Sequence, residues 1–203
     1  MRCAVFLLTV ATLMAVGVAS ASSTKRHTIP TSGLSLATPA SWRAIDSKTA
    51  LASKGVQSLL KENPQLAALI QRVTGTNSAV KFLAIDPRVS DRFATNVNVV
   101  VTPLPSAVTF ALLADAIPHE LKNVPGLASK ITTSIVKLPI GPAIKASYRL
   151  SIVNGVKTQT VQTLQYIFLR HSSSIVVTFS TTPSQSARRA ATFAAIAASI
   201  HAP

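Results

Sequence analysis

The chain has 203 residues, 48% of them hydrophobic, with 20 Lys and Arg against 6 Asp and Glu, a formal charge of +14. That length and apolar content predict one globular domain with a sizeable core, and the charge favours anionic surroundings such as phospholipid head groups or wall polymers. Aromatics make up only 5% of the chain, and apart from Lys25-Arg26 and Arg188-Arg189 the basic residues are spread singly. The clustered cations and interleaved aromatics of a nucleic-acid site are therefore missing, which disfavours nucleic acid as a partner.

The N-terminus stands apart. Met1-Arg2 is followed by almost unbroken apolar residues from Cys3 to Val18, then by Ala19-Ser20-Ala21 and the polar run "SSTKRHT". A short positive region, an apolar core and an A-x-A site predict a secretory signal peptide over 1–21, cut between Ala21 and Ser22. The competing reading is an uncleaved anchor, for which the apolar run is short against the roughly 20 residues of a membrane span. Cys3 precedes the apolar core, so it is not placed to become a lipidated N-terminus. Once it leaves with the signal peptide, no thiol remains for disulfides, catalysis or metal binding. The expectation is a secreted, extracytoplasmic protein of the cell envelope, not lipidated and with no transmembrane helix in the mature chain.

Residues 22–32 are polar and read as a flexible leader, with the domain spanning 33–203. Leu34 and Leu36 alternate with Ser35 and Ala37 until Pro39 breaks the strand. Trp42-Arg43-Ala44-Ile45 resumes the alternation, which places Trp42 and Ala44 on one face. Asn63-Pro64 is a good helix start, with Asn63 as N-cap, and Leu66, Leu69, Ile70 and Val73 form one apolar helical face. Val80–Asp86 and Asn96–Val101 read as strands joined by the polar loop "PRVSDRFAT".

A helical segment covers about 106–123, bent or split by Pro118. In "AIKASYRLSIVNG", Ile144, Ala146, Tyr148, Leu150 and Ile152 alternate with polar residues, and Asn154-Gly155 is a strong two-residue turn. "VKTQTVQTLQYIFLR" is the return strand, and "SIVVTFST" follows a His-Ser turn. Pro183-Ser184 opens a last helix with Phe193, Ile196, Ala197 and Ile200 on one side. Consecutive hairpins exclude a parallel sheet, so the fold class is α+β: a mainly antiparallel sheet packed by helices.

Leu34, Leu36, Pro39 and Trp42 resemble the "f-s-i-x-x-P-x-x-W" opening of PsbP-like and LpqN-type extracytoplasmic domains. Leu138, Pro139 and Gly141 are similar to that family's "v-x-l-P-a-G-x-a" stretch, "YIFLRHSSSIVVTFST" to its late hairpin and "FAAIAASI" to its closing helix. The resemblance covers about 33–200. It implies an α-β-α sandwich without enzymatic activity, serving as a binding or accessory domain, with Trp42 packed as a core anchor where the N-terminal strands meet the sheet. Many envelope members carry a lipobox cysteine that this chain lacks, and the family has no shared catalytic set, so no site residues carry over.

No catalytic, cofactor-binding or metal-ligating residue is assigned, and no cofactor is expected. His27 and His201 read as solvated termini, His119-Glu120 lacks the second histidine of a zincin helix, and His171 reads as a turn residue. The six carboxylates, Asp46, Glu62, Asp86, Asp91, Asp115 and Glu120, are too few to predict a calcium or magnesium site. No G-x-S-x-G elbow and no phosphate loop occurs. The cluster from Asp86 to Arg92 reads as a self-neutralising surface connection between two strands. Three functions stay open: a binding protein holding a lipid or another amphiphilic ligand, or an anionic envelope polymer; an accessory subunit docking onto an envelope protein; and a hydrolase.

Overall fold

A computed structural model describes residues 23–45, 79–154 and 157–202. The signal segment, the Asn63-Pro64 helix, Asp46, Glu62 and Gly155 lie outside the described residues. Strands β1 (Thr24–Ile29) and β2 (Leu34–Pro39) form an antiparallel pair from Thr24↔Pro39 to Ile29↔Leu34. Their connection needs Gly33 at φ 57°, ψ 41°, a left-handed conformation that glycine adopts without a Cβ clash.

Among the described residues the larger sheet has seven strands. They are β3 (Arg43–Ala44), β4 (Val80–Ser90), β5 (Phe93–Pro103), β6 (Thr132–Leu138), β7 (Gly141–Asn154), β8 (Lys157–Arg170) and β9 (Ser173–Thr181), in the order β3-β4-β5-β9-β8-β7-β6 with every pair antiparallel. Helix α1 (Phe110–Lys122) lies on the crossover from β5 to the far edge, and α2 (Ser186–Ala198) follows β9.

Alternation along the strands gives the sheet two apolar faces. On one, Phe82, Val97, Val99, Phe168, Val177 and Phe179 meet Phe193, Ile196, Ala197 and Ile200 from α2 and its end, together with Ile29, Leu34, Leu36 and Trp42. On the other, Ile144 and Ile167 pack on Leu113 of α1, and Ala146 and Tyr148 on Leu121. Burial pushes the Tyr148 phenol up to about 12, so it stays neutral. The antiparallel α+β class expected from the hairpins is the fold observed, and all four predicted α2 positions are buried.

Several local readings change. The flexible leader over 22–32 is replaced by β1, because Ile29 and His27 turn inward while the ladder to β2 satisfies the polar backbone. His27 is consequently not solvated: it packs 5.1 Å from the Phe82 ring and shares a hydrogen bond of 3.0 Å with Thr38 Oγ1. Nor is His201 a free end, since its backbone exchanges two hydrogen bonds with Ser35 and closes the chain end onto β2.

Trp42 is buried as expected, but it sits in a turn, its backbone N–H donating to the Pro39 carbonyl at 2.9 Å. Its inward neighbour is Ile45, with Ala44 exposed, so the alternation starts one residue late. "PRVSDRFAT" is not a loop. β4 and β5 run almost to contact, and Asp91 and Arg92 alone make the turn at φ 53° and 57°. The helix begins at Phe110, where Thr109 accepts from the Leu112 N–H, and it runs on as one helix through Pro118.

Two outcomes are expected from β1. Ile29→Ala should lower the urea unfolding free energy by about 2–5 kcal/mol, against a change within about 0.5 kcal/mol for Val153→Ala on the surface. Burial, and then the charge of Lys25, hold His27 below its ordinary 6.5. Protonation therefore opposes the folded state, so stability should fall as pH drops below about 6.5 and level off below the folded value. His27→Gln should remove that part of the pH profile.

Candidate functional site

The α2-facing side of the sheet changes character along β7 and β8. Ala143, Tyr166 and Phe168 belong to the core, whereas further along the same face come Lys145, Ser147 and Arg149 on β7 and Leu164, Gln162 and Thr160 on β8. Beyond Leu164 the apolar code stops, and the first turns of α2 lie over the boundary. A groove of about 520 Å³ results. Ala187, Ala190 and Phe193 of α2 form one wall, Leu164 the apolar floor, and Lys145, Ser147 and Gln162 the polar floor, with Thr132 and Ser134 of β6 as the outer rim.

Gln162 organises the polar floor. Its Nε2 donates to Ser147 Oγ at 3.1 Å and to the Tyr148 carbonyl at 3.0 Å, and its Oε1 accepts from Arg149 Nε at 3.2 Å. Its own hydrogen-bonding atoms are thereby engaged within the floor. Ser147 keeps its hydroxyl hydrogen for another acceptor.

The wall is held by a buried carboxylate. Asp86 has no solvent exposure; Oδ1 accepts from the Arg88 N–H and Nε, each at 3.0 Å, and Oδ2 from Arg88 Nη2 at 3.0 Å. Arg189 of α2 adds an ion pair at 2.7 Å from its Nη1 to the same Oδ2. Burial pushes the Asp86 carboxyl up, but the Arg88 hydrogen bonds and the Arg189 and Arg88 charges together outweigh it and leave it below the usual carboxylate range.

Beside this pair, Thr182 and Ser184 donate to Asp91, Gln185 donates to Ser90 Oγ at 3.1 Å, and Thr95 and Thr181 share a 2.8 Å bond. The Asp86–Arg92 cluster does neutralise itself through Arg88. It is not merely a surface connection, however, because it clasps the turn that opens α2.

A second groove, of about 410 Å³, lies between β1–β2 and α2, where Arg26 bonds Ser35 Oγ at 3.2 Å and touches the His201 ring at 3.0 Å. The other sequence candidates are dispersed. Asp115, His119 and Glu120 belong to α1, which covers the opposite sheet face, and His171 makes the β8–β9 turn at φ 47°. Among the described residues no three histidine, cysteine or carboxylate side chains come together as a metal site.

The groove residues were visible in the sequence only as the polar half of alternating strands. Their convergence depends on the β6–β7–β8 register and on the clasp at Asp86.

Among the described residues, an antiparallel sheet with a helix on each face defines an α+β sandwich. No protein-family model and no curated protein matches the chain. Among solved structures, it is similar to the cyanobacterial PsbP protein CyanoP of Synechocystis, with 15% identity and a TM-score of 0.54 over 94% of this chain and 99% of that one.

It is also similar to LpqN of Mycobacterium tuberculosis, with 13% identity and a TM-score of 0.51 over 92% of this chain and 88% of that one. A third likeness is to the Ran-binding protein Mog1p of Saccharomyces cerevisiae, at 8% identity and a TM-score of 0.51 over 89% and 95%. The chain has the PsbP-like, LpqN-type fold that its opening motif resembles.

Asp86→Asn should cost about 3–5 kcal/mol in urea unfolding, because two guanidinium groups lose their buried counter-charge. Since the native Asp86 carboxyl titrates below its unfolded value, its contribution is present above about pH 4 and lost as pH falls through the native value. The acid limb of the variant's stability profile should be correspondingly shallower. Unchanged stability at pH 7 would show that the clasp does not hold α2.

Proposed function

We propose that the chain is a secreted, non-enzymatic binding protein of the bacterial cell envelope that holds an amphiphilic ligand in the groove beside α2. The observation that carries this reading is the groove's division into an apolar wall and floor, Phe193 and Leu164, and a polar side, Lys145, Ser134 and Thr132. Such a mixture of apolar lining and a few convergent polar groups is what small amphiphiles need. The signal segment with its Ala21/Ser22 junction supports an extracytoplasmic address. No described helix is long and apolar enough to cross a membrane, and LpqN, of like fold, is described as involved in cell envelope biogenesis.

A second reading, an accessory subunit docking onto another envelope protein, is favoured by β6. It is the last strand of the described sheet, and its Ile135 is 65% exposed. An edge strand of this kind can accept a strand from a partner. The enzyme reading has no comparable observation behind it.

Native mass spectrometry on residues 22–203 secreted from a bacterial host, followed by organic extraction, tests the first reading. The expected result is a defined adduct that extracts as lipid. A bare mass, unchanged after incubation with envelope lipids, would overturn it in favour of docking.

A further inference from the structure

The geometry points to a seat for a phosphate-type anion at Lys145, which deepens the groove reading above and rests on it. Lys145 is half-buried on the α2 side of the sheet, and neither an ion pair nor a hydrogen bond joins its side chain to any described residue. An incoming anion would supply the counter-charge and acceptor atoms that this ammonium has from no described residue. Direct pairing sets Ser134 across from Lys145 and Thr132 across from Ser147, so three hydroxyls stand within a residue's reach of the ammonium. Lys145 is a point charge with three donors, and flanking hydroxyls complete the shell that phosphate oxygens require.

The charge balance of the groove points the same way. Among the described residues no carboxylate lines it. Of the four described carboxylates, Asp86 is paired with Arg88 and Arg189, Asp91 accepts from Thr182 and Ser184 at the start of α2, and Asp115 and Glu120 belong to α1 on the far face. Arg149, on the same strand face as Lys145, extends the positive field beyond the groove while its Nε is occupied by Gln162. The apolar wall lies on the opposite side of the same groove, so an anion at Lys145 would leave an attached chain against Leu164 and Phe193.

The test is an amide-shift NMR titration of residues 22–203 with inorganic phosphate, with dihexanoylphosphatidic acid below its micelle concentration, and with dihexanoylphosphatidylcholine. Three variants accompany the parent: Lys145→Gln, Lys145→Arg and, as a matched loss of charge on the other sheet face, Lys137→Gln. The phosphatidic acid should shift amides of β6–β8 and the first turns of α2. Its affinity should fall about tenfold in Lys145→Gln, stay within about twofold in Lys137→Gln, and be largely kept in Lys145→Arg. Inorganic phosphate shifting the same amides at comparable concentration would support the seat and identify free phosphate as sufficient. Shifts with the phosphatidic acid alone would support it with a lipid head group as the source.

Equal weakening in Lys145→Gln and Lys137→Gln, or phosphatidylcholine binding the groove as tightly as the acid and equally well in Lys145→Gln, would overturn the seat and leave the groove reading intact. No shift at β6–β8 with any of the three would overturn both.

Discussion

The arrangement depends on one buried charge. Asp86 would be a costly residue at zero exposure if it stood alone, and it is tolerated because Arg88 grips both its oxygens and Arg189 reaches it from α2. The strand geometry makes this reach workable. The β4–β5 register slips between Ile85 and Val89, and such an irregularity re-aims side chains that strict alternation would distribute otherwise. The consequence is long-range. The hairpin tip fastens the opening of α2, and α2 then lays Phe193, Ile196 and Ala197 on the sheet and raises the wall of the groove.

Position along the strand, as well as face, determines what a residue does here. On β8 the α2-facing side reads Phe168, Tyr166, Leu164, Gln162, Thr160, an apolar-to-polar gradient on one side of one strand. β7 follows the same gradient from Ala143 to Arg149. Core and groove are therefore two stretches of one surface. The helix roofs the apolar stretch because burial there is favourable, and its first turns lie where the strands turn polar. A groove of mixed character is what such a boundary leaves behind.

This explains which parts were legible in the sequence. The alternation of Ile144, Ala146 and Tyr148 and the 3.6-residue spacing of Phe193, Ile196, Ala197 and Ile200 report local geometry, so both could be read directly. The turn at Asp91-Arg92 escaped because neither residue carries the usual Asn-Gly signal, although both adopt positive φ. β1 escaped because Lys25, Arg26 and His27 look solvated in composition, while only pairing with β2 shows that alternate side chains turn inward. The ion pair from Asp86 to Arg189 lies beyond any local pattern. Lys145 and Ser147 were read correctly as the polar half of a strand, but periodicity does not distinguish a solvated face from a groove floor. That distinction requires the helix above them.

The charge excess takes on a different meaning in this setting. A chain with 20 basic and 6 acidic residues could use its few carboxylates to neutralise surface cations. Instead, both ion pairs among the described residues end on the buried Asp86, and Asp91 is spent on hydroxyls. The two carboxylates of the β4–β5 hairpin thus serve to hold the opening of α2 in place. An anionic ligand seated as proposed at Lys145 would meet a groove lined by no carboxylate among the described residues. The same placement of carboxylates that fastens the helix is therefore what the proposed anion seat depends on.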